Sequence, residues 1–380
     1  MRIGLVCPYD YYRPGGVQSH IRHLAVELRK RGHSAKVLAP LCPGNAPEAD
    51  VLFVGRARQA RWGGTTWEVC AALGQERRGL NAILETERFE LLHFHTIWNP
   101  ILPFQILWAS RTTRIATFHD TPTDDLLGRL LARVVMPLAS YLIVKLWLQA
   151  AVAVSEVTRS YLVRLCRGAI HQIPNGVETQ RYAREKNQPL AEYRDGKLNI
   201  LFAGRLEGRK RVFDLVEAFE RLKSRHPHLR LLIIGDGYQM PALKERVRRI
   251  EDVEILGAKT QSEMPRYYAS CDIFCSPAAW GESCGIVLLE AMASGMPAVG
   301  AANAGYQTVL TGAGARMLFE PRNVLQLTHK LEELILDPAL REELSAWGRA
   351  EVRKYDWTAV TDRIEALYYE AILRGNGTRS

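Results

Sequence analysis

Trp280-Gly281-Glu282-Ser283-Cys284-Gly285-Ile286-Val287-Leu288-Leu289-Glu290-Ala291-Met292-Ala293-Ser294-Gly295 decides how the chain is read. Asp272-Ile273-Phe274-Cys275, just before it, has the length and apolar content of a buried strand. After Gly285 the spacing turns helical, with Ile286, Leu289, Met292 and Ala293 on one stripe. Gly295-Met296-Pro297 stops that helix, and Pro297-Ala298-Val299-Gly300 starts another strand. The run therefore reads as strand, glycine-punctuated loop and helix inside a βαβ unit. A helix start offers unpaired N–H groups and the positive end of the dipole, which suits a phosphate. Glu282 lies in the loop and Glu290 in the helix. An acid beside a phosphate cradle is poorly suited to the phosphate itself, because like charges repel. It suits sugar hydroxyls, since one carboxylate accepts several O–H bonds. From spacing alone, a solvated loop acid and a surface helix glutamate fit equally well.

Glu282 and Glu290, followed by Ala291-Met292-Ala293, Gly295 and Pro297-Ala298-Val299, resemble the retaining glycosyltransferases of family 4. That resemblance implies the GT-B fold: an α/β protein of two Rossmann-like, doubly wound domains facing a central cleft. It implies that Glu282 holds hydroxyls of a donor sugar and that Glu290 holds the ribose. The N–H groups around Cys284, Gly285, Ile286 and Val287 would take the diphosphate.

A chain of 380 residues exceeds one ordinary core and predicts two domains. The net charge of +9 favours anionic partners: a nucleotide diphosphate, an acidic membrane surface or nucleic acid. No zinc-finger, homeodomain or RNP-like run is present, so nucleic acid is set aside. The cysteines are scattered without a paired CxxC set and read as reduced core thiols. Met1-Arg2 runs directly into Ile3-Gly4-Leu5-Val6-Cys7, which leaves no room for a signal peptide and predicts a cytoplasmic protein.

That first strand leads through Pro14-Gly15-Gly16 into a helix over about 17–31 and a strand over 35–39, a first βαβ unit. Taken alone, Gly15-Gly16 is a tight turn or a close approach of backbone to a ligand. The N-terminal run, with Tyr9, Gly15-Gly16-Val17-Gln18-Ser19-His20, is similar to the bacterial phosphatidylinositol mannosyltransferases within the family. The resemblance implies that Gly16 touches the donor phosphate and that Tyr9 and Gln18 lie on the acceptor side. Residues 41–65 read as loop-rich, with an apolar patch at Val51-Leu52-Phe53-Val54. Arg56, Arg58, Arg61, Arg77 and Arg78 are either a solvated face or a contact for lipid head groups. His93 and His95 point to one face of a strand, but no nearby Cys or third His completes a set, so no metal is expected. His119 ends the strand Ile115-Ala116-Thr117-Phe118, where open α/β sheets place ligands. The resemblance gives His119 a catalytic place beside the donor sugar.

Residues 126–148 are unusually apolar, but Arg129, Arg133, Lys145 and Pro137 argue against a membrane span. A kinked helix pair, part core and part interfacial, fits better. Farther on, Gly204-Arg205-Leu206-Glu207-Gly208-Arg209-Lys210 follows a strand. Arg205 and Lys210 there fit a diphosphate leaving group, or a generic basic surface; the resemblance decides for catalysis. Where the family has Gly after the Lys, this chain has Arg211. Gly235-Asp236-Gly237 is a turn where nucleotide can meet backbone, and the resemblance implies donor contact at Gly235.

The expected organisation is a 1–180 acceptor-side domain, a 181–197 linker and a 198–357 nucleotide-sugar domain, with a last helix over 358–380 returning to the first domain. The expected reaction moves a hexose, by the resemblance mannose from GDP-mannose, to a membrane-associated acceptor such as phosphatidylinositol, with retention. No cofactor is expected to be obligatory, and Mg2+ would at most stimulate. The protein would sit peripherally on the inner face of the cytoplasmic membrane. The alternatives are a UDP-sugar transferase acting on diacylglycerol, inositol phosphate or a polysaccharide lipid carrier, and a non-enzymatic nucleotide-sugar-binding module.

Overall fold

The computed structural model describes residues 1–13, 15–44, 48–62, 65–97, 101–119, 138, 142, 143, 145, 147–163 and 170–377. Two compact units account for them, one formed by 1–175 with 357–380 and the other by 176–356.

The first unit is built on an eight-stranded sheet of β1 (Arg2–Val6), β2 (Ser34–Leu41), β3 (Val51–Trp62), β4 (Thr65–Ala71), β5 (Leu91–His95), β6 (Thr113–Phe118), β7 (Ala150–Ala153) and β8 (Ile170–Gln172). Its order is β4-β3-β2-β1-β5-β6-β7-β8, parallel throughout except for the antiparallel β3–β4 pair. β1 and β5 are nearly continuous apolar runs because a parallel sheet is covered on both faces. The Gly16–Lys30 helix buries Ile21, Leu24, Ala25 and Leu28, the stripe its spacing predicts.

The Trp357–Gly377 helix belongs to this unit. Its Trp357, Val360, Ile364, Leu367 and Tyr368 share a core with Ile3, Leu5, Ile21 and Leu24. Arg31 clamps it by ion pairs to Asp362 at 2.6 Å and Glu365 at 2.8 Å, and His33 meets Glu365 at 2.7 Å.

The second unit holds β9 (Leu198–Ala203), β10 (Leu229–Ile234), β11 (Val253–Gly257), β12 (Ile273–Ser276), β13 (Ala298–Ala301) and β14 (Leu318–Phe319). They form an all-parallel sheet in the order β11-β10-β9-β12-β13-β14. Helices cover both of its faces, as the separate clusters around Phe202, Phe219 and Leu331 and around Leu232, Leu288 and Tyr306 show. Strand order switches beside β9, so β9 and β12 are where ligands are expected.

Two sequence expectations meet the structure differently, and a third falls mostly outside the described residues. Residues 41–65, read as loop-rich, contain the whole of the twelve-residue β3, in which Gly55 follows the apolar run and the only apolar residues between there and Trp62 are Ala57 and Ala60. The apolar/polar alternation that marks a strand is broken there, because Ala57 and Ala60 stand three apart and are only weakly apolar. Residues 181–197, expected as a linker, bury Tyr182 and Tyr193 in a core of the second unit. Most of 126–148 lies outside the described residues; within it Ile143 and Leu148 are buried, and Leu138, Leu142 and Lys145 are exposed.

Among the described residues no helix is long and apolar enough to cross a membrane. Cys7, Cys42, Cys70, Cys271, Cys275 and Cys284 are buried free thiols, and Cys166 lies outside the described residues.

Ile364 is fully enclosed where the last helix meets β1, so Ile364→Ala should cost about 2–5 kcal/mol through the cavity it leaves. Hydrogen exchange should show the loss in the amides of β1 and not in those of β9. Equal loss in both sheets would contradict the assignment of that helix to the first unit.

Candidate active site

The loops after β9 and β12 converge on one carboxylate. Gly208–Lys210 forms a single 3-10 turn, and the N–H of Ala279 donates to the carbonyl of Arg209 at 2.9 Å, tying the two loops together. Lys210 Nζ then reaches Glu282 Oε1 at 2.7 Å, and Arg209 Nη1 reaches the same oxygen at 2.5 Å. Lys210 is buried, which confines its ammonium to this geometry. Glu207 lies behind, pairing with Arg209 at 3.2 Å and with the largely exposed Arg205 at 2.8 Å.

Gly281 is left-handed at φ 72°, and Gly305 lies so close to Glu282 that an added Cβ would stand 2.1 Å from its carbonyl oxygen. The Ile286–Ala293 helix starts immediately beyond, capped by Gly285 at φ 63° with no side-chain bond. Its first-turn N–H groups, from Gly285, Ile286 and Val287, therefore have no acceptor within the helix. Tyr306 supports this turn from below: it is fully buried, hydrogen-bonds Ser276 at 2.6 Å, and its ring lies where a Cβ on Gly285 would be. Cys284 is buried at the same corner.

Glu290, on the same helix, accepts from Tyr182 Oη at 2.9 Å and from Tyr268 Oη at 2.7 Å, one tyrosine on each carboxylate oxygen. Burial pushes its carboxyl pKa up, and the two phenols hold it down. Each oxygen keeps a second lone pair for a ligand. Neither tyrosine is separable from core aromatics by sequence alone.

Gly235 has a structural reason to be glycine: a Cβ there would stand 1.8 Å from the carbonyl oxygen of Gly204. This close approach locks the Gly235–Gly237 turn onto the Arg205–Gly208 loop, where Leu206 N–H donates to the Asp236 carbonyl at 2.8 Å. Asp236 itself accepts from the N–H of Gly237. Arg211 adopts the left-handed conformation, φ 55° and ψ 35°, which accounts for a glycine at that place in the family. Its guanidinium forks onto Asp214 at 2.9 and 2.7 Å in the first turn of the next helix.

In the first unit, Gly16 opens its helix, and a Cβ added there would meet nothing within 4 Å. The fold itself thus does not require a glycine at that position. Gln18 is buried and donates to the carbonyl of Asp10 at 3.2 Å, and Tyr9 is half-buried at the edge of a core.

His119 follows β6 as expected, but its ring is not isolated. Its Nε2 lies 3.1 Å from His95 Nδ1. His20, from the first helix, meets Asn175 Oδ1 through Nδ1 at 2.9 Å. His93, on the same face of β5 as His95, uses both ring nitrogens outside this group, meeting Tyr368 at 2.6 Å and Thr117 at 2.7 Å. The expectation that no third histidine completes a set with His95 is therefore corrected. His20, His95 and His119 each bring one ring nitrogen within 4.8 Å of the others. Sequence spacing could not show this, because the three come from separate elements that only the sheet order brings together.

The Glyco_transf_4 model, "Glycosyltransferase Family 4", matches residues 14–181, and "Glycosyl transferases group 1" matches 183–351. The phosphatidyl-myo-inositol mannosyltransferase of Mycobacterium leprae is 31% identical over 99% of this chain and 98% of its own length. The chain belongs to glycosyltransferase family 4. The mannosyltransferase of Mycolicibacterium smegmatis is likewise 31% identical, over 97% of this chain and 93% of the relative. The family-4 fold is matched by sucrose-phosphate synthase from Thermosynechococcus elongatus, with a TM-score of 0.77 at 18% identity over 98% of this chain and 99% of that one. An Anabaena protein solved in complex with UDP-glucose matches with a TM-score of 0.74 at 17% identity, covering 97% and 99%. This family-4 glycosyltransferase thus carries the GT-B architecture that its Glu282–Glu290 run implies.

Burial lowers the histidine pKa values, that of His20 to about 4 and of His93 to about 3, with His95 and His119 well below the ordinary value. An unfolded histidine titrates near ~6.5, so as pH falls the unfolded chain takes up protons first. The stability these groups contribute is complete above ~6.5 and is lost as pH falls toward the folded values, by up to about 1.4 kcal/mol per pH unit for each histidine. Urea melts at about pH 7 and about pH 5 should show this decline, with the four imidazole resonances unmoved in the folded protein. Imidazole titration near the ordinary value in the folded state would overturn it.

Proposed function

We propose that this glycosyltransferase moves mannose from GDP-mannose, with retention, onto a phosphatidylinositol-type acceptor at the cytoplasmic face of a membrane. The observation that carries this reading is the 31% identity, over nearly the full length of both chains, to enzymes named phosphatidyl-myo-inositol mannosyltransferase.

The geometry of the second unit supports the donor half. Lys210 and Arg205 would draw off the diphosphate together with the N–H groups of Cys284, Gly285, Ile286 and Val287, stabilising charge that grows as the glycosidic bond breaks. Lys210 and Arg209 both sit on Oε1 of Glu282, and its Oε2 has no partner among the described residues. That oxygen would accept sugar hydroxyls. Glu290, oriented by its tyrosines, would take the ribose, and Gly235 would let nucleotide approach the turn backbone.

In the first unit, Gly16 has open space where a donor phosphate would come close. His119, kept neutral by burial, would present a dipole to the sugar without adding positive charge beside a developing oxocarbenium. Tyr9 and Gln18 would lie on the acceptor side. Gln18, which donates to the Asp10 carbonyl, would act there by holding the Asp10 loop. The donor is its only required small molecule, with Mg2+ at most stimulatory. Exposed Leu73, Trp108, Leu138 and Leu142, with Arg77, Arg78 and Lys145 on the same unit, suit a peripheral contact with anionic lipid.

Donor consumption with a panel of GDP- and UDP-sugars, with and without liposomes containing phosphatidylinositol, tests the reading. GDP-mannose turnover that rises with those liposomes is expected. Preference for a UDP-sugar, or indifference to the lipid, would move the assignment to a UDP-sugar transferase. Donor binding without turnover would favour a binding module.

Lys210→Ala should lower kcat by roughly 10²–10³-fold, as removal of one preorganised charge-stabilising donor does. Steady-state kinetics would expose the alternative: a rise in KM with kcat unchanged would mean that Lys210 only binds donor.

A further inference from the structure

The His20, His95 and His119 cluster is larger than the transfer reaction needs. All three are buried, and one ring nitrogen from each lies within 4.8 Å of the other two. His95 Nδ1 and His119 Nε2 share one proton across 3.1 Å, near the roughly 3.3 Å edge that a tetrahedral zinc site with nitrogen ligands at ~2.05 Å would have; to ligate, the ring that holds that proton would shift it to its other nitrogen.

Two further observations point to a ligand. First, Nε2 of His20 is buried with no hydrogen-bond partner among the described residues. Buried polar atoms are seldom left in that state. Second, His20 Nδ1 meets an acceptor, Oδ1 of Asn175, so its proton sits on Nδ1 and its lone pair on Nε2. Metal-ligating histidines are commonly prepared in this way, with the far N–H given to a carbonyl oxygen. Low local polarity keeps the imidazoles in the neutral form that ligates.

We infer that His20, His95 and His119 form a site for a borderline divalent cation of the Zn2+ class, with Asn175 orienting His20 and water in the fourth position. A three-histidine set with one open position is a known zinc arrangement. Among the described residues no carboxylate belongs to the set, which favours a borderline cation over hard oxygen-seeking ones such as Mg2+ and Ca2+. Occupancy would withdraw His119 from the sugar, so the cation would act as an inhibitor. That consequence alone rests on the role proposed for His119; the binding does not.

The test uses the full chain, stripped with a chelator and titrated with Zn2+ against a chromophoric competitor, and with Co2+ for its ligand-field spectrum. One equivalent of Zn2+ is expected, with the visible bands of a tetrahedral Co2+ site. His20→Gln and His95→Gln, each checked for a native melt, should abolish both signals. Asn175→Ala, which touches only the orienting partner, should weaken binding by about 10–100-fold. No stoichiometric Zn2+ binding, or binding unchanged in a folded His20→Gln or His95→Gln variant, would overturn the inference. Zn2+ binding by a chain that turns over no donor would leave the inference standing and count against the proposed function.

Discussion

A single carboxylate oxygen, Oε1 of Glu282, accepts from both Lys210 and Arg209, and the surrounding loops are shaped by that requirement. A half-buried acid next to a helix start needs compensating charge, and a buried ammonium needs an anion. Each solves the other's problem only if the β9 and β12 loops come within a few ångströms. The backbone bond from Ala279 to Arg209 holds them there. The left-handed Gly281 turns the chain so that Glu282 faces the cations, and Gly305 vacates the space its carbonyl occupies. Several glycines of this region are thus explained by close approach of main chain, independently of any ligand.

Arg211 shows how the same loop tolerates a departure from the family pattern. A non-glycine residue in the left-handed region costs about 1–2 kcal/mol. The side chain that incurs this cost also makes a two-bonded pair with Asp214, in the first turn of the Val212–Lys223 helix. That acid is itself favourably placed against the helix dipole. Arg211 is therefore committed to its own helix start, and the cations gathered at Glu282 are Lys210 and Arg209.

Much of this was legible in the residues. The strand–loop–helix run at 272–300 and the apolar stripe of the first helix fold as their spacing predicts, because period and glycine placement are local signals. Glu282 and Lys210 could be named from their motifs, but not their contact, which depends on β9 lying beside β12. Arg209 was visible only as part of a basic patch, since nothing in Gly208-Arg209-Lys210 tells which cation turns inward. Tyr182 and Tyr268 look like ordinary core aromatics until Glu290 is placed between their hydroxyls. β3 escaped because, beyond Gly55 and before Trp62, its apolar residues are only Ala57 and Ala60, three apart, which breaks the period of two by which a strand is recognised. The histidine cluster escaped for the same reason as the Lys210 contact: strand order, not spacing, assembles it.

The last helix shows why strand order alone does not complete the first unit. Apolar contacts through Val360, Ile364 and Leu367 would let a helix slide or rotate at little cost, since hydrophobic attraction has no direction. Polar contacts remove that freedom. The Tyr368 hydroxyl meets His93 Nδ1, whose other nitrogen meets Thr117, so one buried chain of bonds runs from the helix through β5 to β6. At the helix's other end Arg31 and His33 hold Asp362 and Glu365. Any shift of register would leave His93 with an unpaired buried nitrogen, a loss of about 1–3 kcal/mol. His93 and His95 lie on one face of β5 with rings 4.3 Å apart, so the residue that fixes the helix also sets the wall against which His95 and, through it, His119 are held.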